Sequence, residues 1–439
     1  MRKAFLTGWC FALLMQGCTD KKMHHQFLPA SQDVSDVVSS MTSLMIHDVT
    51  NPPLASRFYS YAMLAGYEVV AENNSSFKSM RTAIDAYPDI KKPGVKNYSY
   101  QAAAIFAMLE VASKMQPSGK SLDSSRQKVI VYFKENELSQ KIIDSSIVYA
   151  HQVAIQILAF ANEDGYRKIS NYQRYTPFSG NAYWKATPPA YMATVEPYFK
   201  MVRTFYLDSV NDFKPATPTD FSDKKGSSFY LLSDAVYNEV KSVNIEHRNI
   251  ASFWDCNPFA LINEGHLQIG AKKISPVAHW MGVAGICCKE RKLSFDSTIM
   301  VYTLLSTGVM DAFVSCWTEK FRSNRVRPES AIRNMIDPGW QPFLQTPPFP
   351  EYPSGHSVIS SSAAEILTVF FGDSYSFIDT VEKPYGLPER KFSSFRQAAA
   401  EAGLSRFYGG IHFMDAIEEG QKQGKKIGQY VVEKYLKKS

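Results

Sequence analysis

The sequence predicts an all-α globular protein, one large helical domain or two fused bundles, and three observations carry that reading. Long segments repeat apolar residues at three- and four-residue intervals, and no run alternates apolar with polar residues over strand length. The composition, 45% hydrophobic and 21% charged with 24 Tyr and 28 Phe, suits a large aromatic-rich interior. At 439 residues the chain fits one large helical domain or two fused bundles better than one small core.

Taken in order, residues 1–18 read as an export signal: Arg2-Lys3, an apolar run from Ala4 to Met15, then Gln16-Gly17-Cys18. The run is too short for a permanent span. A small residue followed by Cys resembles the bacterial lipobox, with Met15 where Leu is usual. Cys18 is then expected to be lipidated, giving a periplasmic or cell-envelope lipoprotein that touches the membrane only through its anchor; plain cleavage would give a secreted protein. Residues 19–45 are polar without a clear period and read as a tether. Residues 46–227 form an N-terminal helical half with helices expected at Leu54–Glu72, Tyr98–Met115, Ser125–Asn136 and Ile142–Asn162. Asn51-Pro52-Pro53 marks the start of the first of these. The half ends in a Pro-rich irregular stretch, Arg167 to Ser227, long enough to be functional or to wrap a neighbouring surface.

Residues 228–439 form the C-terminal half, with helices expected at Ser228–Phe253, Thr298–Phe321, Ser357–Phe371, Ser394–Tyr408 and Phe413–Leu436. Ser394 with Gln397 suggests a capping box. The apolar run Ile299–Trp317 is interrupted by Asp311 and softened by Ser306, Thr307 and Ser315, so it reads as a core helix and not as a membrane span. Net charge is +6, about +4 without the leader, and no basic run interleaves with aromatics, so nucleic acid is not an expected partner. Cys256, Cys287, Cys288 and Cys316 match no zinc spacing and read as buried free thiols. His151, His247, His266 and His279 are scattered and read as structural.

Three short stretches carry the chemistry. Lys320 to Pro328 holds Lys320 and Arg327, with Pro328 biasing Arg327 out of the helix so that it reaches in from the following turn. Pro353-Ser354-Gly355-His356 opens an amphipathic helix, placing Ser354 or Gly355 where free backbone N–H groups collect anions. Ser405 to His412 puts Arg406 on the apolar stripe of Phe395, Ala399 and Ala402, with His412 beyond a Gly409-Gly410 turn. Buried unpaired cations cost several kcal/mol each. No acidic residue sits inside the three stretches, Glu329 standing just past the first, so the missing partner reads as a bound tetrahedral oxyanion.

Lys320-x6-Arg327-Pro328, Pro353-Ser354-Gly355-His356 and Ser405-Arg406-x5-His412 resemble, in order, the three signature motifs shared by vanadium-dependent haloperoxidases and type 2 phosphatidic acid phosphatases. The segments Trp184–Tyr191 and Phe253–Pro258 resemble the bacterial haloperoxidase-like branch. The resemblance implies an all-helical fold of paired four-helix bundles with the anion pocket near one bundle's end. It implies that Lys320, Arg327 and Arg406 hold equatorial oxygens with Ser354 and the Gly355 amide, that His412 is the axial ligand to vanadate or the nucleophile, and that His356 is the general acid/base. With vanadate the substrates would be halide and hydrogen peroxide; without any cofactor, His412 would attack a phosphate monoester through a phosphohistidine, as an acid phosphatase does. The phosphatase pattern places Asp four residues after the histidine, where this chain has Ala416. Asp415, three residues on, is the candidate outer partner of His412, and this departure favours the haloperoxidase reading; Asp311, on its apolar helix, is separately the candidate outer partner of Lys320. A third reading is a non-catalytic surface lipoprotein that binds an anion or a glycan.

Overall fold

The computed structural model describes residues 28–188, 191–264 and 267–438; the proposed leader and Cys18 lie outside them, as does His266. Among the described residues there are fourteen α-helices and two small antiparallel β-ribbons. The first helix, α1 (Ser31–His47), overturns part of the expected tether. Val34, Val37, Val38, Met41, Leu44 and Met45 are buried along one face, a three–four repeat masked in the sequence by the serines between them.

The N-terminal bundle follows. Helix α2 (Pro52–Asn73) starts at an Asn51 cap with Pro at its first turn and is buried almost throughout. It packs on α3 (Tyr100–Met115), which in turn meets α4 (Leu122–Glu135) and α5 (Gln140–Asn162). A single turn, α6 (Tyr166–Ile169), leads into the long irregular stretch. The helix expected at 228–253 is broken in two, α7 (Ser228–Ser242) and α8 (Ile245–Phe253), by Val243 at φ +55° and an Asn244 cap. A ribbon of β1 (Leu261–Glu264) and β2 (Leu267–Gly270) precedes α9 (Pro276–Glu290), a helix the sequence reading missed.

Helix α10 (Phe295–Ser323) is the axis of the molecule. Covered on all sides, it is buried from Ile299 to Lys320 apart from Met300, its few polar residues included, as a core helix must be. It packs on α2 in the N-terminal bundle and on α12 (Gly355–Phe371) and α14 (Met414–Lys438) in the C-terminal one. Between α10 and α12 lies α11 (Pro328–Met335); between α12 and α14 lie the ribbon β3 (Phe377–Asp379) with β4 (Arg390–Phe392) and α13 (Phe395–Tyr408). One hydrophobic core runs from α1 to α14. The division at residue 227 therefore separates stretches of sequence, not separate cores.

Helix α14 is seated on α12 by Gly420, Gly424 and Gly428. A Cβ on Gly424 would stand 2.0 Å from the Val358 carbonyl oxygen, so only glycine allows this approach. The contact fixes the start of α12 beside the start of α14. The irregular stretch wraps α10, as expected of a loop this long: Asp311 accepts the amides of Phe205, Tyr206 and Leu207 at 2.7, 2.7 and 3.2 Å, and Trp317 Nε1 donates to the Val195 carbonyl.

Candidate active site

Three chain ends meet at one end of the C-terminal bundle. Helix α10 stops at Asn324, which takes a left-handed cap, and Arg327 is extended (φ −81°, ψ 152°) at the N-cap of α11. Pro328 enforces that geometry. Ser354 caps α12, its Oγ accepting from Ser357 N. Arg406 sits on the buried stripe of α13, and the turn to His412 needs Gly410 at φ +75°, where a Cβ would meet Val240 and Trp340.

The side chains these ends deliver are buried: Lys320 0%, Arg327 0%, Arg406 1% and His412 2% exposed. A cavity here takes Cys256, Asn257, Gly355, His356, Arg406 and His412 as its polar lining, with Lys320 and Arg327 behind its wall, and Phe259, Phe313, Trp317 and Phe349 among its apolar walls. Arg327 Nη1 donates to His412 Nε2 at 3.0 Å and to the Ile411 carbonyl, while its Nε holds the Phe349 carbonyl. Arg406 Nη2 donates to the Trp254 carbonyl at 2.7 Å. Lys320 Nζ lies 3.0, 3.0 and 2.6 Å from the carbonyls of Pro350, Glu351 and Pro353. Those three acceptors match the three protons of an ammonium, so Lys320 braces the loop before Ser354 and lends the pocket its charge.

His412 is held by a residue the sequence reading missed. Its Nδ1 lies 2.8 Å from Glu351 Oε1, which also accepts the Phe413 amide. Glu351 stands two residues before the Pro353-Ser354-Gly355-His356 motif, and that proximity was the available signal. The assignments to Asp311 and Asp415 are corrected accordingly. Asp311 spends its carboxylate on three loop amides. Asp415 forms a two-pronged pair with Arg325 at 2.8 and 2.9 Å, and Arg325 in turn lies 3.3 Å from Glu351. Asp311 does not bond Lys320, whose ammonium is taken by three carbonyls, and Asp415 does not bond His412, whose Nδ1 is taken by Glu351. Ser394 caps α13 as expected, but Gln397 answers the Ser393 amide, so the box is shifted by one residue.

Electrostatics set the protonation of the pocket. Burial, then the charges of Arg327, Lys320, Arg406 and Arg325, push the His412 pKa well below its ordinary value. The ring is neutral, Nδ1–H faces Glu351, and the Nε2 lone pair faces Arg327. His356 is pushed down in the same way, by burial and then by Arg406 and His412. Its hydrogen bond to the Trp254 carbonyl leaves Nε2 buried without a partner. Burial lowers Lys320 to about 7 and Arg327 to about 10. Arg327 Nη2 is also buried without a partner. Arg325, Arg327 and Lys320 thus face one carboxylate, Glu351, beside a neutral imidazole nitrogen, and Arg406 reaches Asp255 only at 3.9 Å: with Arg327 Nη2 buried and unpartnered, the donor set fits a small oxyanion.

Comparison with known proteins agrees with this arrangement. Residues 300–438 match the VCPO second helical-bundle domain, the stretch that holds all three motifs. No curated protein matches the chain. Among solved structures, the first bacterial vanadium-dependent iodoperoxidase is 40% identical over 92% of this chain and 96% of its own, with a TM-score of 0.86. The chain belongs to the vanadium-dependent haloperoxidase family. Two further bacterial structures, a holo-type and an apo-type vanadium-dependent chloroperoxidase, share the haloperoxidase fold at TM-scores of 0.67 and 0.66. They are 14% and 15% identical, each over 89% of this chain and over 94% and 96% of their own chains. As a haloperoxidase, the protein is an enzyme of small-molecule substrates, and its four cysteines in the described residues are free and buried, as expected.

Proposed function

We propose that this haloperoxidase binds vanadate at His412 Nε2 and oxidises halide, iodide first among them, with hydrogen peroxide. The observation that carries the proposal is the neutral His412, its Nδ1 anchored on Glu351 and its Nε2 lone pair set among cations. Arg327, Arg406 and the Gly355 amide would hold the oxyanion's oxygens, with Lys320 supplying charge and the Ser354 hydroxyl keeping its proton free to donate. Bound vanadate would supply the centre at which peroxide is activated for transfer of an oxygen to halide. The chain's own residues do the rest. His356, kept neutral by burial and Arg406 and with Nε2 unpartnered, offers that lone pair to a proton as peroxide enters. The guanidinium groups stabilise charge that develops on oxygen, and the aromatic walls exclude water and suit a large polarisable halide. Iodide is the halide of the 40% identical relative, which supports its place here.

We propose as well that the protein is exported and anchored through a lipidated Cys18; growth with a labelled fatty acid tests this, since a protein left unlabelled lacks the anchor. The activity is tested by assaying purified protein with and without orthovanadate for peroxide-dependent oxidation of iodide, bromide and chloride, and for hydrolysis of a chromogenic phosphate ester. Vanadate-dependent iodide oxidation is expected. Ester turnover with no halide oxidation would make the protein the phosphatase of the alternative reading, a reaction for which the Glu351–His412 pair is also suitably built.

A further inference from the structure

A second cluster of buried ligating groups lies beside the pocket. Cys256, three residues past the end of α8, places Sγ 3.6 Å from Nδ1 of His279 on the first turn of α9. Glu382, in the turn after β3, places Oε1 3.2 Å from the same nitrogen. All three ligand atoms lie within 4.8 Å of one another, and all three residues are buried. We propose that Cys256, His279 and Glu382 form a binding site for a divalent transition metal, with zinc as the expected ion.

Geometry and charge both favour this. Tetrahedral zinc, with bonds of about 2.3 Å to sulfur and about 2.0–2.1 Å to nitrogen and oxygen, sets its ligands about 3.6 Å apart for S and N and about 3.3 Å apart for N and O. The observed separations are 3.6 and 3.2 Å. The other nitrogen of His279, Nε2, lies 2.7 Å from Asp379 Oδ2. A carboxylate there fixes the ring and leaves Nδ1 free to ligate, the arrangement that supports metal-bound histidines generally. Thiolate, imidazole and carboxylate together select zinc over magnesium or calcium, and three protein ligands leave one tetrahedral position for water.

Two buried carboxylates, Glu382 and Asp379, stand on either side of the His279 ring, and with the Cys256 sulfur as thiolate they would offset the charge of a divalent ion, which lowers the cost of burying an interior metal. The site would also brace the active-site pocket. Trp254 stacks on His279 at 4.6 Å, stands two residues before Cys256, and offers its carbonyl to Arg406 and His356.

The test uses the full protein, stripped with a chelator and kept free of vanadate. Zinc analysis should return one equivalent per chain after reloading, with proton release as the Cys256 thiol gives way to thiolate. Cobalt(II) alone should give the near-ultraviolet thiolate-to-metal absorption. Cys256→Ser and His279→Gln should lose that absorption, Asp379→Asn should weaken zinc binding about 10- to 100-fold, and His412→Ala should retain it. Wild-type protein that gives no thiolate band, or a band that survives Cys256→Ser, overturns the site, and the first of these outcomes needs no variant to fold. Loss of binding in His412→Ala alone would also overturn it, by moving the ion to the vanadate pocket.

Discussion

Two buried histidines, each hydrogen-bonded to a buried carboxylate, differ in charge. His412 Nδ1 lies 2.8 Å from Glu351 and His279 Nε2 lies 2.7 Å from Asp379. Burial disfavours the charged ring in both. At His412 four cations add to burial and the pKa falls well below its ordinary value; at His279 Asp379, Cys256 and Glu382 outweigh burial and it rises well above. The carboxylate therefore orients the ring in each case, but the groups one layer further out decide whether the ring offers a lone pair or carries a proton. A neutral ring beside cations suits ligation of an oxyanion. A cationic ring between carboxylates suits a clamp or, with its protons displaced, a metal.

Removing His412 should have the largest effect. His412→Ala is expected to drop vanadate-dependent iodide oxidation to background with the helical circular dichroism spectrum intact, whereas His279→Ala should leave measurable turnover; equal loss in both would erase the distinction. Glu351→Gln comes next. The amide oxygen can still accept from Nδ1–H but brings no charge, and a lost outer-layer partner of a ligand typically costs about 10- to 100-fold in affinity. Orthovanadate titration of the variant should show a weakening in that range, and unchanged affinity would mean that Glu351 does not orient His412.

The helical repeats and the three motifs located the cations because buried charge on an apolar stripe is conspicuous: Arg406 continues the line of Phe395, Ala399 and Ala402. Pro328 and the Gly409-Gly410 turn likewise announced their backbone geometry. What stayed hidden depended on contacts between distant segments. Glu351 shares no helix with His412, and the pair forms only because Gly420, Gly424 and Gly428 let α14 lie against α12. His279 and Cys256 gave no spacing signal because their partners, Asp379 and Glu382, come from a ribbon about a hundred residues on. Helices α1 and α9 were overlooked for different reasons: serines lowered the contrast of a repeat that the buried positions of α1 obey, and α9 is buried on nearly every side from Pro276 to Met281, so it has no single apolar stripe to read.

Opposite protonation gives opposite pH dependence of stability in protein free of metal and vanadate. Below pH 6.5 the unfolded chain takes up a proton that native His412 resists, so this site, with His356, lowers stability as pH falls toward its folded pKa. Above pH 6.5 native His279 keeps a proton that the unfolded chain has lost, so stability falls as pH rises toward its folded pKa. Each site contributes at most about 1.4 kcal/mol per pH unit. Urea midpoints measured across pH should show His412→Gln flattening the acid limb and His279→Gln flattening the alkaline limb. Flattening of the same limb by both would contradict the assigned charge states.

The smallest effect is expected at Asp415, three residues after His412. Its charge reaches the ring only through Arg325, which it grips at 2.8 and 2.9 Å and which stands 3.3 Å from Glu351. Asp415→Asn keeps one acceptor for Arg325 and leaves the Glu351–His412 contact untouched, so vanadate affinity should change only a few-fold, less than the roughly 1.4 kcal/mol of a tenfold change. Arg325 would meanwhile be freer to turn its full charge on Glu351, drawing that carboxylate away from Nδ1, so the small change should be a weakening. An Asp415→Asn loss as large as that of Glu351→Gln would show that the pair acts as one unit, and the orienting function would then belong to the Asp415–Arg325–Glu351 chain and not to Glu351 alone.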